Sequence, residues 1–75
     1  MFRRRATITP GERFRAVDVP TVEWQVEDVE TDPIGIAHAR LILVGDPLTR
    51  RTLACARLLD QRCWVKTRSP LNGSA

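Results

Sequence analysis

Three side chains in this sequence have the chemistry of soft metal ligands or of a nucleophile and its base: His38, Cys55 and Cys63. Their spacing matches neither Cys-x-x-Cys nor His-x-x-x-His, and a structural zinc site usually takes four ligands. A cysteine nucleophile with His38 as its base would also need an orienting acid and an oxyanion site, for which so short a chain offers little concave volume. We therefore expect no metal, no cofactor and no catalytic site.

The carboxylates are concentrated in one stretch of the chain. Residues 16–35 carry six acids and no base, whereas the segments on either side are basic and the whole chain has a net charge of +3. Neighbouring carboxylates can act as an acid and base pair. Here they alternate with valines, which is the pattern of a solvated strand face. We expect them to keep that face soluble and to pair across the sheet with arginines of a neighbouring strand.

All but one of the 12 basic residues are arginines. Arginines neutralise phosphates and aromatic rings stack on nucleobases, so the two together can bind nucleic acid. Trp64 is flanked by basic residues and is the candidate stacking residue, whereas Phe14 and Trp24 are better explained as core. The candidate nucleic-acid contacts are Arg13, Arg15, Arg50, Arg51, Arg62, Trp64 and Lys66.

Positioning these side chains requires strands, and the hydrophobic pattern predicts them. A short strand follows the turn Thr9-Pro10-Gly11-Glu12, where proline and then glycine suit a type II turn, and Pro20 should end that strand or turn it round a corner. In the next stretch the apolar residues fall on one face with a period of two. That alternation shifts phase before Val29, which predicts a β-bulge at Glu27-Asp28 and hence a bent strand.

A second long strand is predicted over residues 36–44, between a turn at Asp32-Pro33-Ile34-Gly35 and a hairpin loop at Gly45-Asp46-Pro47-Leu48. Its second half is apolar on both faces. If one face is core, Ile42 and Val44 need a second cover, from a terminal segment or from another copy of the chain. These two residues are the candidates for self-association.

Residues 48–65 fit two structures. A helix would take Thr49 as its N-cap and would consist of strong helix formers. Alternatively, a strand over residues 51–57 would pair with residues 36–44, a tight turn would follow near residues 59–61, and a last strand would cover residues 63–66. The second interpretation closes the sheet and is the one we adopt, while a helix near residues 49–62, giving an α+β fold, is the alternative.

A chain of 75 residues is near the lower limit at which one hydrophobic core holds a fold. We predict a single all-β domain over residues 1–67, a small bent antiparallel sheet or barrel of about five strands, and a mobile tail over residues 68–75. No apolar run approaches the ~20 residues that span a bilayer. No hydrophobic segment follows the basic start, so a cytoplasmic protein is expected. The predicted core is Ile8, Phe14, Val17, Val22, Trp24, Val26, Val29, Leu41, Leu43, Leu53, Leu58 and Val65.

The features occur in a characteristic order. A Pro-Gly turn precedes a short strand, and there follow Trp24-x-Val26, an acidic bend with Gly35, His38-x-x-Leu41, Thr52, Leu58-x-Asp60 and Trp64. Over residues 8–67 this order resembles that of small bacterial SH3-like β-barrel proteins, many of them uncharacterised. The resemblance implies five short, strongly bent strands and no particular activity.

Two functions stay open at this point. The first is a non-catalytic module for protein interaction or self-assembly, with a homodimer as the simplest form, because an acidic strand and basic ends are complementary. The alternative is a small barrel that binds nucleic acid through its arginines. The acidic face would repel phosphate unless it lies opposite the basic surface.

Overall fold

The computed structural model describes residues 7–68 as one antiparallel sheet with a single short helix. The strands are β1 (Arg13–Ala16), β2 (Val19–Thr31), β3 (Ala37–Leu43), β4 (Asp46–Ala54) and β5 (Trp64–Arg68), and the helix is α1 (Cys55–Leu58). The order across the sheet is β4-β3-β2-β1-β5. The predicted all-β fold is confirmed, and the sheet is barrel-like without closing, since β4 and β5 form its two edges.

Local turn chemistry sets the connections that the sequence predicted. Gly11 has a φ of 95°, the left-handed value that a type II turn requires at its third position, and the Glu12 N–H donates to the Thr9 carbonyl at 3.2 Å. In the second turn the Gly35 N–H donates to the Asp32 carbonyl at 2.9 Å. Both predicted turns are confirmed.

The predicted bulge is also present in β2. Val26 lies opposite Leu41, whereas Asp28 lies opposite Arg40, so Glu27 is the extra residue. The bulge restores the phase of the core face, because Val29 lies opposite the buried Ala39. It also supplies the local bend by which a small sheet curls.

The first hairpin, between β1 and β2, and the third, between β3 and β4, differ from the sequence prediction. Pro20 lies inside β2 and does not end a strand, because the chain already reverses at Val17-Asp18. Between β3 and β4 the turn is Val44-Gly45, with a φ of 96° at Gly45, so Asp46 begins the next strand. Register then shifts in β4, and the three residues after Asp46, beginning with Pro47, bulge from the edge.

The region that fitted either a helix or strands is mostly strand. β4 continues to Ala54, so the strand predicted over residues 51–57 is wrong from Cys55 onward, and the helical alternative shrinks to the four residues of α1. One helical turn places Cys55 and Leu58 on the same side, and both are buried. The need to bury these two residues, three positions apart, explains why the chain leaves the sheet here.

The core lies between the curled sheet and α1, and it consists of Ile8, Phe14, Val26, Ala39, Leu41, Cys55, Leu58 and Trp64. Of the other predicted core residues, Trp24, Val29 and Leu53 are partly buried against this cluster, and Val22 and Leu43 are half-buried. Two predictions are wrong: Val17 is 47% exposed in the first hairpin turn, and Val65 is 37% exposed opposite Arg15.

The last strand is longer than predicted, because Arg68, assigned to the tail from sequence, pairs with Arg13. The rest of the predicted tail, residues 69–75, lies outside the described residues. Within residues 7–68, none of the helical structure is long and apolar enough to span a membrane.

Candidate ligand-binding groove

The strand register divides the side chains between two faces of the sheet. On the face that we call the outer face, Arg13 lies opposite Gln25, and Gln25 lies opposite Ile42. On the inner face, which carries the core, Phe14 lies opposite Trp24. Since successive residues of a strand point to opposite faces, Arg50 belongs to the outer face and Arg51, opposite Leu41, to the inner face.

The outer face is a network of charge pairs. The Arg13 Nε donates to Gln25 Oε1 at 2.9 Å, and the Arg13 Nη1 lies 3.7 Å from a Glu23 carboxylate oxygen. The Arg50 guanidinium lies 3.6 Å from the Glu27 carboxylate. The predicted pairing of the acidic strand with neighbouring arginines is thus confirmed, and Arg13 and Arg50 are engaged there with acceptors of their own chain.

Arg40 pairs with two acids of β2. Its Nε donates to Asp28 Oδ1 at 3.0 Å, and its Nη2 lies 3.2 Å from Glu30 Oε2. The hydrogen bond to Asp28, together with the negative charges of Asp28 and Glu30, raises the pKa of Arg40. The acids of β2 are therefore largely balanced from within the sheet.

A groove of about 620 Å³ opens on the inner face, at the end of the sheet where β1 stops and β5 begins. Its walls carry two tryptophans and three arginines from β2, β4, β5, α1 and the loop between α1 and β5, namely Trp24, Trp64, Arg51, Arg57 and Arg62. We call this the Trp–Arg groove. Cys63 and the hairpin residues Ala16, Val17, Asp18, Val19 and Val22 complete its lining.

Arg51 lies beside both indole rings. Its Cζ is 5.9 Å from the centroid of Trp24 and 5.5 Å from that of Trp64, within the range of a cation–π contact. Among the described residues, neither Arg51 nor Arg57 forms an ion pair with a carboxylate. These two guanidinium groups are therefore available to a ligand in the groove.

Arg62 enters the groove from a loop that Asp60 organises. The Asp60 carboxylate accepts hydrogen bonds from the Arg62 backbone N–H at 3.0 Å and from its Nε at 3.1 Å and Nη2 at 3.2 Å. These bonds from Arg62 lower the pKa of Asp60 and raise that of Arg62. The Asp60 carbonyl also accepts the Cys63 and Trp64 N–H groups, which fixes the start of β5.

The other predicted site residues are dispersed. Arg15 is exposed on the outer face, and the Lys66 Nζ lies 3.0 Å from the buried carboxylate of Glu12. Ile42 is half-buried on the outer face, and Val44 is 38% exposed in the third hairpin turn. Of the seven candidate nucleic-acid contacts, the groove brings together Arg51, Arg62 and Trp64.

The predictions from sequence missed two residues of the groove, Trp24 and Arg57. Trp24 was assigned to the core and Trp64 to the surface, but Trp64 is only 5% exposed and Trp24 is half-buried at the groove. The sequence does not distinguish Arg57 from the other arginines, because its position in the groove depends on the single turn of α1. No local signal marks either residue, because neither Trp24 nor Arg57 has another basic or aromatic residue within three positions of it in the sequence.

Two of the three soft-ligand residues, His38 and Cys55, lie outside the groove. The His38 Nδ1 faces Asp32 Oδ2 at 4.0 Å, whereas Cys55 is buried in the core, and this burial raises the pKa of its thiol. Within residues 7–68, no three His, Cys, Asp or Glu side chains are grouped to hold a metal ion.

Both cysteines are free thiols. Cys63 is half-buried in the groove wall, where its Sγ lies 3.9 Å from Asp60 Oδ2.

Comparison of the chain with protein-family models, with curated proteins and with solved structures finds no match.

Proposed function

We propose that this protein is a small non-catalytic binding module and that it takes a single-stranded nucleic acid in the Trp–Arg groove. The observation that carries this proposal is the position of Arg51 beside Trp24 and Trp64, with no carboxylate partner among the described residues. Proteins that bind single strands combine guanidinium groups for the phosphates with aromatic rings for the bases.

The size and charge of the groove support the same ligand. Its volume of about 620 Å³ lies within the range of small-ligand pockets, about 300–1,000 Å³. Three arginines line it against a single carboxylate, Asp18. The acids of β2 point to the outer face, so they do not stand between an incoming phosphate and the groove.

Adjacent arginines on opposite faces give a matched test. Arg51→Gln removes a charge from the groove, whereas Arg50→Gln removes the same charge from the outer face, where Arg50 pairs with Glu27. We would measure the anisotropy of a labelled oligonucleotide of mixed sequence over a series of salt concentrations. The Arg51→Gln variant should bind more weakly, and the magnitude of the negative slope of log affinity against log salt should fall by about 0.7, the value of one phosphate contact on a single strand.

Arg50→Gln should leave both affinity and slope close to those of the wild type. Equal effects of the two substitutions would mean that the oligonucleotide responds only to net charge, and the groove would then not be the site. Absence of binding by the wild-type protein at low salt would remove nucleic acid as the ligand.

Self-association remains a second proposal, because Leu48 is 91% exposed in the bulged start of the edge strand β4, close to Val44. We propose that Leu48, exposed at an open sheet edge whose backbone groups can pair with another strand, is a contact point for a second copy of the chain. Sedimentation equilibrium over a range of protein concentrations should then show a dimer that Leu48→Asp weakens. A wild-type protein that stays monomeric throughout would exclude it.

We also propose that the chain resembles small bacterial SH3-like β-barrel proteins, whichever of the two functions it has. Five antiparallel strands, one of them bent by a bulge, are compatible with it. A cytoplasmic location, expected from the sequence, is also part of the proposal, and fractionation of the source cells tests it.

A further inference from the structure

We propose that Arg51 is a displaceable cover for the two indole rings of the groove. When the ligand binds, one of its nucleobases takes the place of the Arg51 guanidinium over the rings, and the guanidinium moves to a neighbouring phosphate. This inference rests on the proposed function, and it adds the way in which the groove admits its ligand. It follows from the exposure of the two rings and from what holds Arg51 in place.

The tryptophan faces that a base would need are covered in the free protein. Trp64 is 5% exposed and Trp24 is half-buried, and the Arg51 guanidinium lies over both rings. Trp64 belongs to the core cluster, so a base can reach its ring only from the groove, where the Arg51 guanidinium lies. Among the described groove residues, Arg51 contacts both rings with the tip of its long side chain, which can move without moving the backbone.

Little holds Arg51 in that position. Its side chain is exposed, it comes from the edge strand β4, and no described carboxylate pairs with it. Arg62, in contrast, is held by two side-chain hydrogen bonds to Asp60. The arginine that covers the rings is thus free to leave, whereas Arg62 is held in place.

The exchange is favourable for a ligand that carries both an unpaired base and a phosphate. A base stacked on tryptophan is worth more than an exposed cation–π contact, and the displaced guanidinium gains a charge-assisted bond to phosphate. In a duplex the bases are already stacked and paired. A groove that binds by stacking an unpaired base on its tryptophans is therefore selective for single strands.

Binding of two different ligands distinguishes the two possible roles of Arg51, a movable cover and a fixed phosphate contact. Adenosine has the base without the phosphate, and a short oligodeoxynucleotide has both. We would titrate wild type, Arg51→Ala and Arg51→Lys with each ligand and follow tryptophan fluorescence, which reports on the groove because the chain has two tryptophans and no tyrosine. Thermal melts by circular dichroism would establish that each variant is folded.

For Arg51→Ala we expect opposite responses to the two ligands. Adenosine should bind about two- to fivefold more tightly, the factor that one exposed cation–π contact represents, because the rings are already uncovered. The oligonucleotide should bind more weakly at low salt. Acrylamide should quench the fluorescence of the free variant more strongly than that of the wild type. Arg51→Lys should keep the salt dependence of the wild type.

Adenosine affinity in Arg51→Ala that is equal to or below that of the wild type would overturn the displaceable cover. If the wild type still bound the oligonucleotide, the proposed function would stand with Arg51 as a fixed contact. If the wild type bound no oligonucleotide, the proposed function itself would fail, and the cover with it.

Discussion

At the scale of single residues, Glu12 is the buried charged side chain of the described structure, only 5% exposed. Burying a carboxylate is tolerated when it is paired and hydrogen-bonded. One Glu12 oxygen accepts the Thr9 N–H at 3.0 Å, and the other lies 3.0 Å from the Lys66 Nζ. Lys66, a candidate phosphate contact from sequence, instead ties β5 to the turn before β1.

The two large aromatic residues of the first hairpin should differ in their contribution to stability. Phe14 is 2% exposed, whereas Trp24 is half-buried at the groove. Phe14→Ala should lower the free energy of unfolding by about 3–5 kcal/mol, as in other cores. Trp24→Ala should cost less, because part of its surface already meets water.

Urea denaturation followed by circular dichroism measures both losses without relying on tryptophan fluorescence. The sequence predicts that Trp24 is a core residue, and as a fully buried one it would cost as much to truncate as Phe14. An equal loss for the two variants would support that earlier assignment and would contradict the half-buried position of Trp24.

At the scale of elements, the loop between α1 and β5 depends on Asp60. Its carboxylate accepts from Arg62, its carbonyl accepts the N–H groups of Cys63 and Trp64, and the Val17 N–H donates to the Cys63 carbonyl at 2.8 Å. The loop thereby joins the first hairpin to the start of β5. Both border the groove, so the loop sets the width of its mouth.

We expect the stability of this loop to depend on pH with a definite sign. Hydrogen bonds from Arg62 lower the pKa of Asp60 in the folded protein. The stabilisation is therefore fully present above the unfolded pKa of about 3.9 and is lost as the pH falls through the lower folded value. Asp60→Asn should melt at a lower temperature than wild type at pH 7, and the difference should shrink toward pH 2.

Thermal melts of the two proteins at several pH values provide the measurement. Arg57→Gln is a graded comparison, because the charge of Arg57 also lowers the pKa of Asp60, but less than the hydrogen bonds from Arg62, so its effect on the pH dependence should be smaller. A difference between Asp60→Asn and wild type that stayed constant down to pH 2 would mean that the charge of Asp60 does not stabilise the loop.

At the scale of the whole molecule, the sheet separates two kinds of surface. On the outer face the acids of β2 pair with Arg13, Arg40 and Arg50, whereas the groove keeps Arg51 and Arg57 without a carboxylate partner among the described residues. A ligand with phosphates gains more from the groove than from the outer face, where Arg15 is the described arginine outside an ion pair. The net charge of +3 therefore understates how basic the groove is.

The strand order also predicts a gradient of protection from hydrogen exchange. β2 and β3 are inside the sheet, and Val26 and Leu41, which face each other across them, are nearly inaccessible to solvent. Their amides should exchange last, at a rate set by global unfolding. The amides of the bulge after Asp46 should exchange first, because that edge is exposed and irregular.

Amide exchange followed by two-dimensional NMR would resolve this order residue by residue. The amides of β4 beyond the bulge, which pair with β3, are an internal reference with the same edge position. Slow exchange throughout the bulge would indicate that another chain covers this edge, as the second proposed function requires.

Local chemistry explains the features that the sequence could predict. The turns at Gly11 and Gly35 follow from residues that tolerate or prefer their backbone angles, and the bulge at Glu27 follows from a change of phase in the apolar pattern. The strand ending at Leu43 follows from its apolar run. All of these depend on neighbours within a few positions.

The groove could not be predicted in the same way. Arg51, Trp24 and Trp64 come from three different strands, and they meet only because the sheet curls and α1 closes its end. Trp64 begins a strand so short that its alternation does not reveal which side is buried. Val17 appeared to continue the alternation of β1, but the chain had already begun its turn.

The pairing of Arg13 with Arg68 has a consequence for protein engineering. These residues begin the first strand and end the last, and as partners on adjacent antiparallel strands their Cα atoms are about 5 Å apart. The strands thus enter and leave the sheet side by side. A linker that joins the two ends and retains residues 7–12, which include the core residue Ile8 and the buried Glu12, would allow circular permutation with new ends at Val44-Gly45. The same geometry suits insertion of the domain into a surface loop of a host protein as a sensor.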